Sequence, residues 1–400
     1  MFQRPNIRRT QGAVPVGPAS LRHALTSNIQ HPTSNIPMAG STRTTLTLIA
    51  ALVALALGAA GIAVFTAAPY GEKGSGLDRR FDYDLPAGPI DPALIGYEQV
   101  ATLRLAMRKP RAIAAGLRRI YVAGDRAVHI LDRHGTVQKE IPLDAEPTAV
   151  TVTPSPSAPV ARSIACLYVA LGNRIVVFTP DGQQRATWPP AGDRAIFTSI
   201  AAGEDNVYVA DAGHKVVRRY DGEGKRLGEI GRYDREAGIR GFVIPSPYFD
   251  VALGADGLLR AVNPGGHRIE VYTPDGRLER PLIWGRAGSA VDRFCGCCNP
   301  VAIGLMPEGR IVTAEKGIPR VKVYSASGEL ESVVAGPALL SPRPSRMEET
   351  RQPHQLPALD VAVDAVGRIL VLDPAARMIR VFHPQPGNPL SENASGKPGR

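Results

Sequence analysis

The sequence predicts an all-β, six-bladed β-propeller preceded by a single transmembrane helix. Two observations predict the propeller. Apolar and polar residues alternate with a period of two between turn signals, and the alternating unit recurs six times at a spacing near 40–50 residues. A third predicts the helix: 23 almost purely apolar residues, Leu46–Ala68, follow a basic segment that holds no acid. The abundance of glycine and proline (41 and 36 residues) agrees with many turns rather than long helices.

Residues 1–44 carry Arg4, Arg8, Arg9, Arg22 and Arg43 and supply half of the net charge of +10. They show no hydrophobic period, so a disordered cytoplasmic tail is expected. The basic pI does not point to nucleic acid, because no Lys/Arg run with interleaved aromatics occurs elsewhere. Residues 45–68 form the anchor. At 1.5 Å per residue the run reaches about 34 Å, enough to cross a hydrocarbon core of roughly 30 Å. A cleaved signal usually has only 7–15 apolar residues and starts sooner. The charge rule places the N-terminus in the cytoplasm and the remainder outside, a cell-membrane, single-pass arrangement that permits disulfides. Residues 69–95 read as a linker, 96–387 as the propeller and 388–400 as a disordered C-terminal tail.

The six copies are "RIYVAGDRAVHILDRHG", "CLYVALGNRIVVFTPDG", "NVYVADAGHKVVRRYDGEG", "LLRAVNPGGHRIEVYTPDG", "RIVTAEKGIPRVKVYSASG" and "RILVLDPAARMIRVFHPQPG". Each is an alternating run, a short loop and a second run closing on Leu131, Phe178, Tyr220, Tyr272, Tyr324 or Phe382, at spacings of 47, 42, 52, 52 and 58. A strand pair cannot bury its face alone, whereas blades packed in a ring cover each other. These closing rings are expected between neighbouring blades. Residues 97–106, "YEQVATLRLA", alternate without a hairpin partner and are expected to complete the last blade, removing an open edge.

The stretch "DVAVDAVGRILVLDPAARMIRVFHPQPG" resembles an NHL repeat, and the resemblance covers roughly residues 97–387. It implies a six-bladed propeller. The first two copies depart from the pattern, with Gly124 and Leu171 where the family has Asp. "FCGCCNP", before blade five, resembles a cysteine-bearing bacterial branch of such proteins. No activity follows from either likeness, since propellers host enzymes, receptors and scaffolds.

The long insertions, near 230–247, 284–299 and 336–357, fall on one face with the loops that carry Asp211, Asn263, Glu315 and Asp373. Four acids or amides in one blade position point first to turn chemistry. "FCGCCNP" holds Cys295, Cys297 and Cys298 within one turn and is expected at the rim of the central channel. Cys166 sits in the opposite blade, too far to pair, and reads as a small buried hydrophobe. Two readings of the cluster stand. One is a local disulfide, vicinal at Cys297–Cys298, with a spare thiol. The other is three thiolates on a soft metal, copper or zinc. Arg286 and Arg293 are expected to favour thiolates. With Trp284, Asn299, His214, His267 and Glu315 they form the expected binding face. The leading expectation is a membrane-anchored binding or scaffold module for a protein or cell-envelope partner. A redox or metal-handling role at the cysteines comes second and a channel hydrolase or lyase third, because no nucleophile–base pair stands at an informative spacing.

Overall fold

The structure, a computed structural model, describes residues 50–51, 53, 89–153, 165–236, 238–340 and 358–386. The expected anchor over 45–68 lies outside these residues apart from the helical positions 50–51 and 53. The tails 1–44 and 388–400 lie outside them entirely. Among the described residues no helix is long and apolar enough to cross a membrane.

Six antiparallel sheets follow one another along the chain. Blade one is Pro110–Ala115, Ile120–Gly124, Ala127–Leu131 and Val137–Pro142. Blade two is Ala149–Val152, Leu167–Leu171, Arg174–Phe178 and Gln184–Thr187. Blade three is Phe197–Ala202, Val207–Asp211, Val216–Tyr220 and Arg226–Ile230. Blade five is Ala302–Leu305, Ile311–Ala314, Val321–Tyr324 and Leu330–Ala335. Blade six is Asp360–Val363, Ile369–Asp373 and Met378–Pro384, and its outer strand is Tyr97–Arg104 from the start of the propeller. The pairing runs from Tyr97 opposite Pro384 to Arg104 opposite Met378, so the expected ring closure is present.

Blade four departs from the pattern, with only Val251–Leu253, Leu259–Asn263 and Arg268–Tyr272. Its outer position is reduced to single bridges at Tyr272–Leu278 and Ile269–Trp284. Pro281 lies between them and has no N–H to donate to a ladder.

The core is divided among six clusters, each shared by two adjacent blades. Every closing residue falls in a different one: Leu131 between blades six and one, Phe178 between one and two, Tyr220 between two and three, Tyr272 between three and four, Tyr324 between four and five, and Phe382 between five and six. All six are buried. Glycines in the hairpin turns complete two of these seams. Gly224 and Gly328 have φ near +90°, and a Cβ on either would stand 2.5 or 2.3 Å from Trp188 or Trp284 of the preceding blade. Only a residue without a side chain lets the turn lie flat on the indole.

The end of the expected linker is already part of the propeller. Pro92–Leu94 makes a short 3-10 turn capped by Asp91. Ser332 of blade five donates its hydroxyl to the Leu94 carbonyl at 3.1 Å.

Candidate functional site

The inner strands surround a channel of about 990 Å³. Their pairing with the second strands puts Ala112, Ala149, Ser199, Asp250, Ala302 and Asp360 at equivalent places, so the ring carries two acids. Both acids also fasten blades together. Asp250 accepts from Val251 N–H at 2.9 Å and from Ile303 N–H of blade five at 2.6 Å. Asp360 accepts from Val361 N–H and from Ile113 N–H of blade one, both at 2.8 Å. Burial pushes Asp250 up to about 6, against its hydrogen bonds. Burial, then the nearby charge of Asp250, pushes Asp360 up to about 7.

These shifts set a direction for stability. The unfolded chain takes up these protons near the ordinary Asp value of 3.8, while the folded chain holds them to about 6 and 7. The contribution is therefore complete below about pH 4 and is lost as pH rises through 6 to 7. The urea midpoint of the native protein should fall across that window by an amount missing from Asp250→Asn/Asp360→Asn. Equal slopes for the two proteins would refute the assignment.

The mouth of the channel is cationic on the side of blades six and one. Arg108, Lys109, Arg111 and Arg377 line it and are exposed. Lys109 stands 3.6 Å from Glu146. Among the described residues Arg108, Arg111 and Arg377 have no ion pair. Asp125 accepts from the backbone N–H groups of Arg108 and Lys109 at 2.6 and 2.8 Å. Blade one thus keeps the acid of the loop position, one residue later than Gly124.

The repeated acids of that position do serve turns and blade contacts. Asp211 accepts from Ile196 N–H at 3.0 Å and is bound by His214 at 2.8 Å and Arg218 at 2.7 Å. Burial works against its ionisation, but these donors outweigh it and hold its pKa below the usual carboxylate range. His214 is consequently occupied by Asp211. Asn263 accepts from Val243 N–H at 2.9 Å. Glu315 is fully buried, with Arg320 and Lys322 each 2.7 Å away. The Lys322 ammonium also donates to the carbonyls of Val291 and Arg293 at 2.9 and 3.0 Å, pinning the loop that leads to "FCGCCNP". Burial lowers Lys322 to about 8, with Glu315 opposing.

Trp284, expected on the binding face, belongs to the core. It is buried against Phe294 and Tyr324, with ring centroids 6.1 and 4.8 Å away, because it takes the place of blade four's missing outer strand. Glu315 and Asn299 are buried too, leaving Arg286 exposed and Arg293, His214 and His267 half-buried.

The cysteine turn stands beside the channel rather than in its wall. Val301 and Tyr248 line the channel, and Lys316 lies over the Tyr248 ring at 4.3 Å. Cys295 and Cys298 are buried and Cys297 is exposed. The Cys297 and Cys298 sulfurs are 3.2 Å apart, and Ser246 Oγ donates to Cys298 Sγ at 3.1 Å. Burial opposes ionisation of Cys298. Hydrogen bonds from Ser246, Lys316 and Cys297 outweigh it and lower its pKa, while burial and the hydrogen bond with Cys298 raise that of Cys297. The cation acting on the sulfurs is Lys316, where the sequence pointed to Arg286 and Arg293. Arg286 instead pairs with Asp292 at 3.1 Å. Asn299 ties the turn to Lys316 through two hydrogen bonds of 2.9 Å, and His267 Nε2 meets the Gly296 carbonyl at 2.5 Å. The Asn299–Pro300 peptide is cis. Among the described residues no group of three or more His, Cys, Asp or Glu is placed to hold a metal ion. Cys166 is half-buried in blade two, with Arg185 Nη1 at 3.6 Å from its sulfur.

Sequence reasoning missed Ser246 and Lys316, which reach the sulfurs from two other loops with no shared period. Asp250 and Asp360, in "YFDVA" and "ALDVA", were missed as well; their signal is a carboxylate inside an otherwise apolar inner strand.

No protein-family model matches the chain, and neither does any curated protein. Among solved structures it is similar to a streptogramin B lyase at 14% identity, covering 74% of this chain and 91% of that one, with a TM-score of 0.42. Virginiamycin B lyase from Staphylococcus aureus is similar at 14% identity, covering 72% and 99%, with a TM-score of 0.43. A protein of unknown function from Bacteroides caccae is similar at 12% identity, covering 57% and 82%, with a TM-score of 0.44. At such values no activity transfers, and the propeller stands on its own strand pairing.

Proposed function

We propose that the chain is an extracytoplasmic binding module, tethered by residues 45–68, that receives an anionic group of a protein or cell-envelope partner at the channel mouth. The observation that carries this reading is the set Arg108, Arg111 and Arg377, exposed at the rim of a 990 Å³ channel and without ion pairs among the described residues. Guanidinium groups that no carboxylate occupies are available for carboxylate or phosphate. The resemblance of the repeats to NHL repeats fits a scaffold of this kind, with "FCGCCNP" on the same loop-rich face.

The test is thermal shift of the full chain against citrate and inorganic phosphate, for the native protein and for Arg108→Ser/Arg111→Ser/Arg377→Ser. A ligand at a hundred times its Kd stabilises by about 2.7 kcal/mol, and the triple variant should lose that gain. If neither anion stabilises the native protein beyond the triple variant, the reading fails. Protease added to intact cells should remove the propeller and leave an anchored stub, and a protected propeller would reverse the proposed orientation.

A further inference from the structure

We propose that Cys297 and Cys298 form a redox-active vicinal dithiol that reduces small-molecule disulfides and closes to a Cys297–Cys298 disulfide. This site is separate from the channel mouth and does not depend on the function proposed there.

The geometry divides the labour between the two sulfurs. Cys297 is exposed and can meet a disulfide from solvent, whereas Cys298 is 1% exposed and cannot. Cys298 lies in contact with its neighbour at 3.2 Å, with the Ser246 hydroxyl on its sulfur at 3.1 Å and the Lys316 ammonium 3.5 Å from that hydroxyl. The step starts from the singly ionised pair, in which one proton lies between the two sulfurs. As Cys297 Sγ attacks a disulfide RSSR, that proton passes to Cys298 and one RS⁻ leaves, giving a mixed disulfide on Cys297. The leaving RS⁻ takes the proton from Cys298, becoming RSH. The Cys298 thiolate then attacks Cys297 Sγ and expels the second RS⁻. Two electrons pass from the protein to RSSR, which becomes RSH and RS⁻.

A purely structural bridge is a poor account of this arrangement. A bond between adjacent residues closes almost no loop, so it removes little entropy from the unfolded chain. It also has no use for a hydroxyl and an ammonium directed at the Cys298 sulfur, both of which favour the thiolate that resolves the mixed disulfide.

The experiment exposes the reduced full chain to oxidised glutathione and follows its peptides by mass spectrometry. The native protein should lose two hydrogens from the peptide holding Cys297 and Cys298, with little mixed disulfide accumulating. Cys298→Ser should trap glutathione on Cys297, and Cys297→Ser should react at least about tenfold more slowly, since the remaining sulfur is buried. Cys295→Ser should behave as the native protein. Lys316→Met should prolong the mixed disulfide, a change in rate that a purely structural bridge would not show. Melting curves of each variant establish that it is folded. The proposal is overturned if Cys298→Ser stays unmodified, if Cys297→Ser reacts as fast as the native chain, or if Cys295→Ser abolishes oxidation.

Discussion

Replacing Lys322 by Met is expected to destabilise the propeller by about 3–5 kcal/mol, read from the urea midpoint. The Lys322 ammonium donates to Val291 O at 2.9 Å and Arg293 O at 3.0 Å and forms an ion pair with Glu315 Oε1 at 2.7 Å. Methionine fills the space but leaves the Val291 carbonyl without a donor, and the Arg293 carbonyl and Glu315 with Arg320 alone. Adding Glu315→Gln should deepen the loss, because the buried Arg320 is then left without its carboxylate. Lys109→Met is the contrasting case. Lys109 and Glu146 are 3.6 Å apart with side chains 76% and 65% exposed, and solvent screens such a pair. Its loss should change stability by less than about 0.5 kcal/mol. A Lys322→Met variant no weaker than Lys109→Met would show that the buried triad contributes nothing. The same substitution should speed proteolysis of the 286–294 loop, since Lys322 holds its backbone.

Truncating a closing ring should cost as much. Phe382→Ala removes a side chain that is 1% exposed from the seam of blades five and six, and Tyr324→Ala does the same between four and five. Each should lower stability by about 3–5 kcal/mol by equilibrium denaturation, because the cavity is walled by two sheets that cannot both collapse into it. Tyr324→Phe separates ring from hydroxyl. The hydroxyl only donates to Asp292 O at 3.2 Å, so about 1 kcal/mol is expected. A cost below 1 kcal/mol for either alanine variant would mean that the seams do not hold the ring.

The ring itself was legible because a blade repeats its grammar. Alternation and a hairpin glycine mark each copy, an aromatic ends the third strand in all but the first, which closes on Leu131, and Tyr97–Arg104 announces closure by having no local partner. What the sequence hid depends on chain segments meeting from afar. Lys322, in "VKVYS", sits where alternation points a lysine to solvent. It is buried because the loop before "FCGCCNP" folds over it. Trp284 reads as a loop aromatic until blade four is seen to lack an outer strand. The acids Asp250 and Asp360 are plain in the inner strands, but their hold on protons comes from the channel that the closed ring creates. The adjacency of Cys297 and Cys298 was visible in the sequence, whereas Ser246 and Lys316 join them only in three dimensions.

The closure of blade six also sets a schedule. Gln99 and Arg380 contact each other across 281 residues of chain. At a synthesis rate of about 5–20 residues per second, roughly a quarter of a minute to a minute separates the making of the first strand from the making of its partner. Throughout that interval Tyr97–Arg104 is a nascent edge waiting beside five growing blades. A ribosome that stops before Met378 releases a ring with its last blade open on both sides of the gap, so the fold cannot seal until the Met378–Pro384 strand has been made.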